Sequence, residues 1–156
     1  MAFRLRKKTR EWFSDLERRK EFALDFDMYY LCLMAGLATG RKMSLANEQE
    51  ETTELVSNFP GVYREKGRLI VALFLSRELK AMGVETHERA ALNRSIAKLV
   101  DPEVAHLSDG GVKEMNKYSY GGFDVLTEWF GEKPHTMETF LPLYKGHLDD
   151  ALVPSS

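Results

Sequence analysis

The sequence has a single cysteine among 156 residues, Cys32. That excludes an intrachain disulfide framework and fits a reducing compartment. Cys32 sits in the run Leu31-Cys32-Leu33-Met34, where a buried, inert thiol is the expectation. Long hydrophobic runs are also missing. The longest extends only from Met28 to Thr39, short of the roughly 20 apolar residues that a spanning helix needs. The first 20 residues carry positive charge with no apolar h-region behind it, which is not a secretory pattern. These absences lead to an expectation of a soluble, cytoplasmic chain with no membrane partner.

Catalytic signatures are equally sparse. There is no Gly-x-Ser-x-Gly and no His-x-x-x-His. Gly110-Gly111 and Gly121-Gly122 lack the Lys-Ser/Thr that a phosphate-cradling loop requires. Glu103-x-x-His106 has the spacing of a di-metal bundle ligand pair, but only one copy occurs, and it follows Pro102. His135-x-x-Glu138 runs in the reverse order, and His87 and His147 stand apart from any ligand pattern. The four histidines are therefore expected to be solvated surface groups, with no metal and no cofactor. Asp25 and Asp27 open the most apolar segment, a placement that suits a helix N-terminus.

What is present is charge, unevenly spread. Residues 1–20 hold eight basic groups against three acidic ones, a net of +5, whereas the other 136 residues net −7. The overall content is 44% hydrophobic and 29% charged, an ordinary globular balance. Length and composition predict one domain over 1–156, and the apolar spacing along the chain predicts that it is all-α, a compact bundle of about six to seven helices.

The central helix is expected at 22–39. Phe22, Phe26, Tyr29, Tyr30, Leu33 and Leu37 form a helical stripe, and Leu31, Cys32, Met34 and Ala35 fill the opposite side. Gly36 permits close approach of a neighbour, and Gly40-Arg41-Lys42 reads as the stop. Residues 43–63 are polar and acidic, with a short helix expected near 51–58 and a turn at Phe59-Pro60-Gly61. A strong helix follows over 64–83. Thr86 is the expected cap of another at 87–100, and Ser108 or Asp109 the cap of one reaching Ser119. Gly121-Gly122 is read as a break or kink between helices, or as part of a contact surface with the neighbouring lysines and tyrosines. Thr136 caps the last helix, in which Pro142 implies a kink or a late start. The tail at about 152–156 is expected to fray, and no strand pairing is expected.

Residues about 4–20 are expected to form a basic amphipathic helix anchored by Trp12, Phe13 and Leu16, with Trp12 and Phe13 placed to stack on bases or to dock the helix on the core. Arg4, Arg6, Lys7, Lys8 and Arg10 make one cationic cluster and Arg18, Arg19 and Lys20 a second. Cations so placed neutralise phosphates and release counterions, so nucleic acid is the leading partner. The competing expectations are pairing with the chain's own acidic body or with an acidic protein. A helix-turn-helix from 87–100 and 108–119 would add Lys113, Asn116 and Lys117 to the interface.

In texture, Phe26-Asp27-Met28-Tyr29-Tyr30-Leu31-Cys32-Leu33-Met34-Ala35-Gly36-Leu37, Gly67-Arg68-Leu69-Ile70-Val71-Ala72-Leu73-Phe74 and the Gly-Gly-Phe segment resemble the small all-helical accessory subunits of prokaryotic DNA-modification and anti-phage loci, such as DNA phosphorothioation systems. The resemblance implies a non-catalytic protein subunit of a larger DNA-acting complex. The sequence expectation is therefore an accessory subunit that helps such a complex engage nucleic acid. The alternatives are a protein–protein adaptor, or a small metal-dependent enzyme using Glu103 and His106.

Overall fold

The computed structural model describes residues 1–85, 87–101 and 106–153. The chain is predominantly helical, with eight α-helices among the described residues. It divides into two compact units. One comprises Met1–Phe3 with Val56–Met115, and the other comprises Arg4–Leu55 with Asn116–Ser156.

The larger unit begins with strand β1 (Arg4–Arg6), followed by short helices α1 (Lys7–Trp12) and α2 (Ser14–Arg18). The expected continuous helix over 4–20 is therefore corrected. Its first residues pair antiparallel with β2 (Thr52–Glu54), Leu5 opposite Thr53. The helical part breaks at Phe13, whose φ/ψ of −90/8° leaves the helical basin. Leu5, Phe13 and Leu16 are nearly fully buried. The anchoring expected of Phe13 and Leu16 holds, although a strand supplies part of it.

Helix α3 (Phe26–Thr39) is the apolar hub of this unit. Phe26, Met28, Tyr29, Leu31, Cys32, Leu33, Ala35 and Leu37 are all buried on it, each large apolar side chain being worth about 1.5–3 kcal/mol of transfer free energy. It starts later than the expected 22, because Asp27 turns its carboxylate back to accept the backbone N–H of Leu24 at 3.0 Å. Gly40, at φ 75°, ends it in the left-handed conformation that glycine adopts without a Cβ clash. Helix α4 (Glu48–Glu51) sits earlier than the expected 51–58. Asn47 caps it by accepting from the Glu50 N–H, and the Glu51 carboxylate returns to the Asn47 N–H.

Helix α7 (Asp109–Phe130) runs unbroken through both glycine pairs, so the chain does not break at Gly121-Gly122. A Cβ on Gly122 would lie 2.6 Å from the Cys32 carbonyl carbon, and one on Gly36 would lie 2.8 Å from that of Tyr118. The glycines let α7 and α3 touch backbone to backbone. Helix α8 (Met137–Leu152) is capped by Thr136 as expected, and it contains Pro142 without a late start. Tyr144 donates from α8 to the Leu31 carbonyl at 2.8 Å, tying α8 to α3.

The smaller unit holds a 3-10 turn (Gly61–Tyr63), then α5 (Arg64–Ala81) and α6 (Arg89–Leu99). A second short ladder pairs β3 (Val100–Asp101) with β4 (His106–Leu107), and the first turns of α7 complete the unit. Ser108 caps α7 by accepting the Gly111 N–H at 3.0 Å. Thr86, the expected cap of α6, lies outside the described residues. The two ladders correct the expectation of no strand pairing. They are two and three residues long, too brief to leave an alternating pattern in the sequence.

Candidate nucleic-acid interface

The fold treats the arginines and lysines of residues 4–20 differently. Arg4 in β1 donates from Nε to the Thr52 hydroxyl at 2.7 Å and lies 3.8 Å from the Glu54 carboxylate across the ladder. Arg6, with a side chain only 7% exposed, donates to the Asp124 carboxylate at 3.0 Å and to the Tyr120 carbonyl at 3.1 Å, and its guanidinium lies 5.3 Å from the Phe123 ring centroid. Arg10 bridges Glu17 at 3.1 Å and Asp25 at 3.3 Å. These three cations act as internal ties.

Arg18 pairs with Asp15, and Arg19 lies 3.7 Å from Glu21. Both guanidiniums are mostly exposed, and surface pairs of this kind are worth about 0–1 kcal/mol, so they remain accessible. Lys7, Lys8 and Lys20 are exposed, and among the described residues no carboxylate pairs with them. Two further features mark the lysines. Lys7 and Lys8 open α1, whose first turn has no acidic residue, so their charge opposes the positive end of the helix dipole. Lys20 sits at φ 56°. It occupies the left-handed position of a Schellman ending, with the Glu21 N–H bonded to the Leu16 carbonyl at 3.0 Å. A non-glycine residue there costs about 1 kcal/mol.

The second expected group is not brought to the same role. Asn116 is buried, accepting from the Tyr29 hydroxyl at 2.8 Å and the Arg4 N–H at 3.3 Å. Lys117 is half-buried and its carbonyl accepts the Met43 N–H, while Lys113 is exposed. Of the connection in the expected helix-turn-helix, the described residues Val100–Asp101 and His106–Leu107 pair in the β3–β4 ladder, and the middle of the supposed reading face, Asn116, is spent on core hydrogen bonds.

Among the other candidates, Cys32 is buried, and desolvation pushes its thiol pKa well above the ordinary 9.0. Tyr29 and Tyr144 are raised above 10.0 for the same reason. Glu103 and the side chain of His106 lie outside the described residues. His135 Nδ1 is 2.7 Å from Asp15, and His147 stacks on Trp129 at 5.2 Å. Glu85, His87 and Glu88 form an exposed trio with ligand atoms within 4.8 Å of one another. No helix among the described residues is long and apolar enough to cross a membrane.

Sequence reasoning missed a cavity of about 690 Å³ in the smaller unit, lined by Phe3, Phe59, Arg64, Arg68, Val71 and Leu75 among others. The signal was the 64, 68, 71, 75 spacing, one stripe of α5 carrying two cations and two apolar residues. Compared with family models, with curated proteins and with solved structures, the chain matches none.

Proposed function

We propose that this chain is a helical accessory subunit that helps a larger prokaryotic complex engage nucleic acid, with the phosphate contacts made by Lys7, Lys8 and Lys20 and supplemented by Arg18 and Arg19. The observation that carries this reading is the division of labour in residues 4–20. Arg4, Arg6 and Arg10 tie the segment into its unit, while three lysines stand exposed and without carboxylate partners among the described residues. Their positions are unfavourable for the fold alone: two oppose a helix dipole, and one holds a backbone conformation better suited to glycine. The DNA-acting complex, of the anti-phage or DNA-modification kind, is supported by the sequence resemblance.

The reading makes a numerical claim. Each neutralised phosphate contributes about −0.9 to the slope of log K against log salt on duplex DNA. Three to five accessible cations give a slope of about −3 to −4.5, whereas all eight basic groups acting together would give about −7. Fluorescence anisotropy with duplex and single-stranded DNA over a salt series measures it. Lys7→Glu, Lys8→Glu and Lys20→Glu combined should abolish binding and leave the circular dichroism spectrum unchanged. Absence of binding at low salt, or binding indifferent to that triple substitution, overturns the proposal. The subunit role is supported separately by α5, which leaves Leu69 62% and Leu73 39% exposed.

A further inference from the structure

Helix α5 is apolar over more of its circumference than its own unit covers. Ile70 and Phe74 are buried beneath it, whereas Leu69, Leu73 and, one turn before the helix, Val62 are exposed. Another face of α5 lines the cavity of about 690 Å³, with apolar walls from Phe3, Phe59, Val71 and Leu75. Gly67 forms part of its lining, with the Phe59 ring 3.2 Å from where a Cβ would stand.

Two cations line the same cavity. Arg64 and Arg68 are exposed and one turn apart on α5, and among the described residues neither has a carboxylate partner. Like charges at that spacing repel along a helix, so intrahelical stability does not account for them. Their spacing of roughly 5–6 Å matches two carboxylates placed one turn apart on another helix, and guanidinium–carboxylate pairs are favoured by bidentate geometry.

We propose that this cavity is a docking groove for an amphipathic, acidic helix of a partner protein. Its apolar side chains enter between Phe3, Phe59, Val71 and Leu75, and two of its carboxylates, one turn apart, meet Arg64 and Arg68. The mode is helix-in-groove recognition. Charge complementarity selects an acidic occupant. The apolar walls argue against a phosphate backbone. This deepens the subunit reading given above, and it is independent of the phosphate contacts assigned to the lysines.

A phage-displayed library of three- to four-turn helical peptides, selected on the full chain, tests it. Selected peptides should share two acidic residues three or four positions apart, flanked by apolar residues at helical spacing. Their affinity should fall at least ten-fold against Arg64→Glu/Arg68→Glu, with the circular dichroism spectrum unchanged. Replacing the two acids by lysine should restore binding to that variant. The Lys7, Lys8 and Lys20 substitutions should leave peptide affinity unaltered, which separates this result from the nucleic-acid one. Selection without an acidic pair, affinity indifferent to the arginine reversal, or stoichiometric capture of dodecanoate that the peptides cannot displace would each overturn the proposal.

Discussion

Replacing Asp124 by Ala tests whether Arg6 is a structural tie or a ligand contact. In the folded chain the Arg6 guanidinium has the Asp124 carboxylate at 3.0 Å, the Tyr120 carbonyl at 3.1 Å and the Phe123 ring below it. Removing the carboxylate leaves a cation whose side chain is 7% exposed with one carbonyl, the Met43 sulfur and one ring as partners. Breaking a fully buried pair costs about 3–5 kcal/mol. The Asp124 side chain is 35% exposed, so water can replace part of what is lost, and about 2–3 kcal/mol is the better expectation. For a chain of this length that lowers Tm by about 5–10 °C. Arg6→Met removes the charge, keeps an apolar stem over Phe123 and lets Asp124 rehydrate, so it should cost only about 1 kcal/mol. With the cation gone, the Asp124 substitution should add little, and the double variant should resemble Arg6→Met alone. Circular dichroism melts and urea titrations of the four proteins complete the cycle. The reasoning fails if Asp124→Ala lies within about 0.5 kcal/mol of the parent, a shift typical of inconsequential surface changes. It fails equally if the two single costs simply add. A fall in DNA affinity on Arg6→Met, with stability unchanged, would make Arg6 a contact and not a tie.

Two glycines should respond oppositely to alanine. Gly122→Ala forces α7 and α3 apart at the Cys32 carbonyl and should cost about 3 kcal/mol or more, whereas Gly146→Ala, in open space on α8, should stabilise by about 0.5–1 kcal/mol; equal effects in urea titrations would refute the close crossing. Burial raises the pKa of Cys32, Tyr29 and Tyr144, so the folded chain holds these protons more tightly than the unfolded one. Their contribution is complete below the ordinary values of 9.0 and 10.0 and is lost as pH rises above them. Urea midpoints should therefore fall from about pH 9 upward, and a midpoint constant to pH 11 would contradict the burial of these groups.

The features legible in the sequence were those written locally. The apolar stripe of α3 could be read because nearly every turn of it is buried, and Gly40, Ser108 and Thr136 announced themselves because caps depend on one residue and its neighbours. Gly121-Gly122 was misread for a physical reason. Glycine both breaks helices and lets helices touch, and the choice depends on a partner backbone, here that of α3, distant in sequence. The short ladders were invisible for a related reason. Arg4, Leu5 and Arg6 are held as a strand by Thr52–Glu54, nearly fifty residues on, and three residues carry no period. At the candidate site the charge was legible and its disposition was not. Nothing near Arg6 in sequence points to Asp124.

That last gap changes what a charge count means. The +5 of residues 1–20 suggested eight cations facing outward, but a formal count treats a tied arginine and an exposed lysine alike. The relevant quantity is the number of cations whose neutralisation by a ligand does not first require an internal pair to break. For Arg6 that requirement is about 2–3 kcal/mol, enough to cancel what a phosphate contact returns at physiological salt. For Lys7, Lys8 and Lys20 it is absent among the described residues. Among the described residues the same criterion also admits Arg64 and Arg68, which the count had hidden inside a net-negative body and which the cavity distinguishes from other exposed cations. Charge reversal at the three lysines and at the two arginines should then remove two different activities, DNA binding in one case and acidic-helix binding in the other. If both reversals weakened DNA binding equally, unpaired charge alone would govern recognition, and the apolar walls around Arg64 and Arg68 would have no part in choosing the partner.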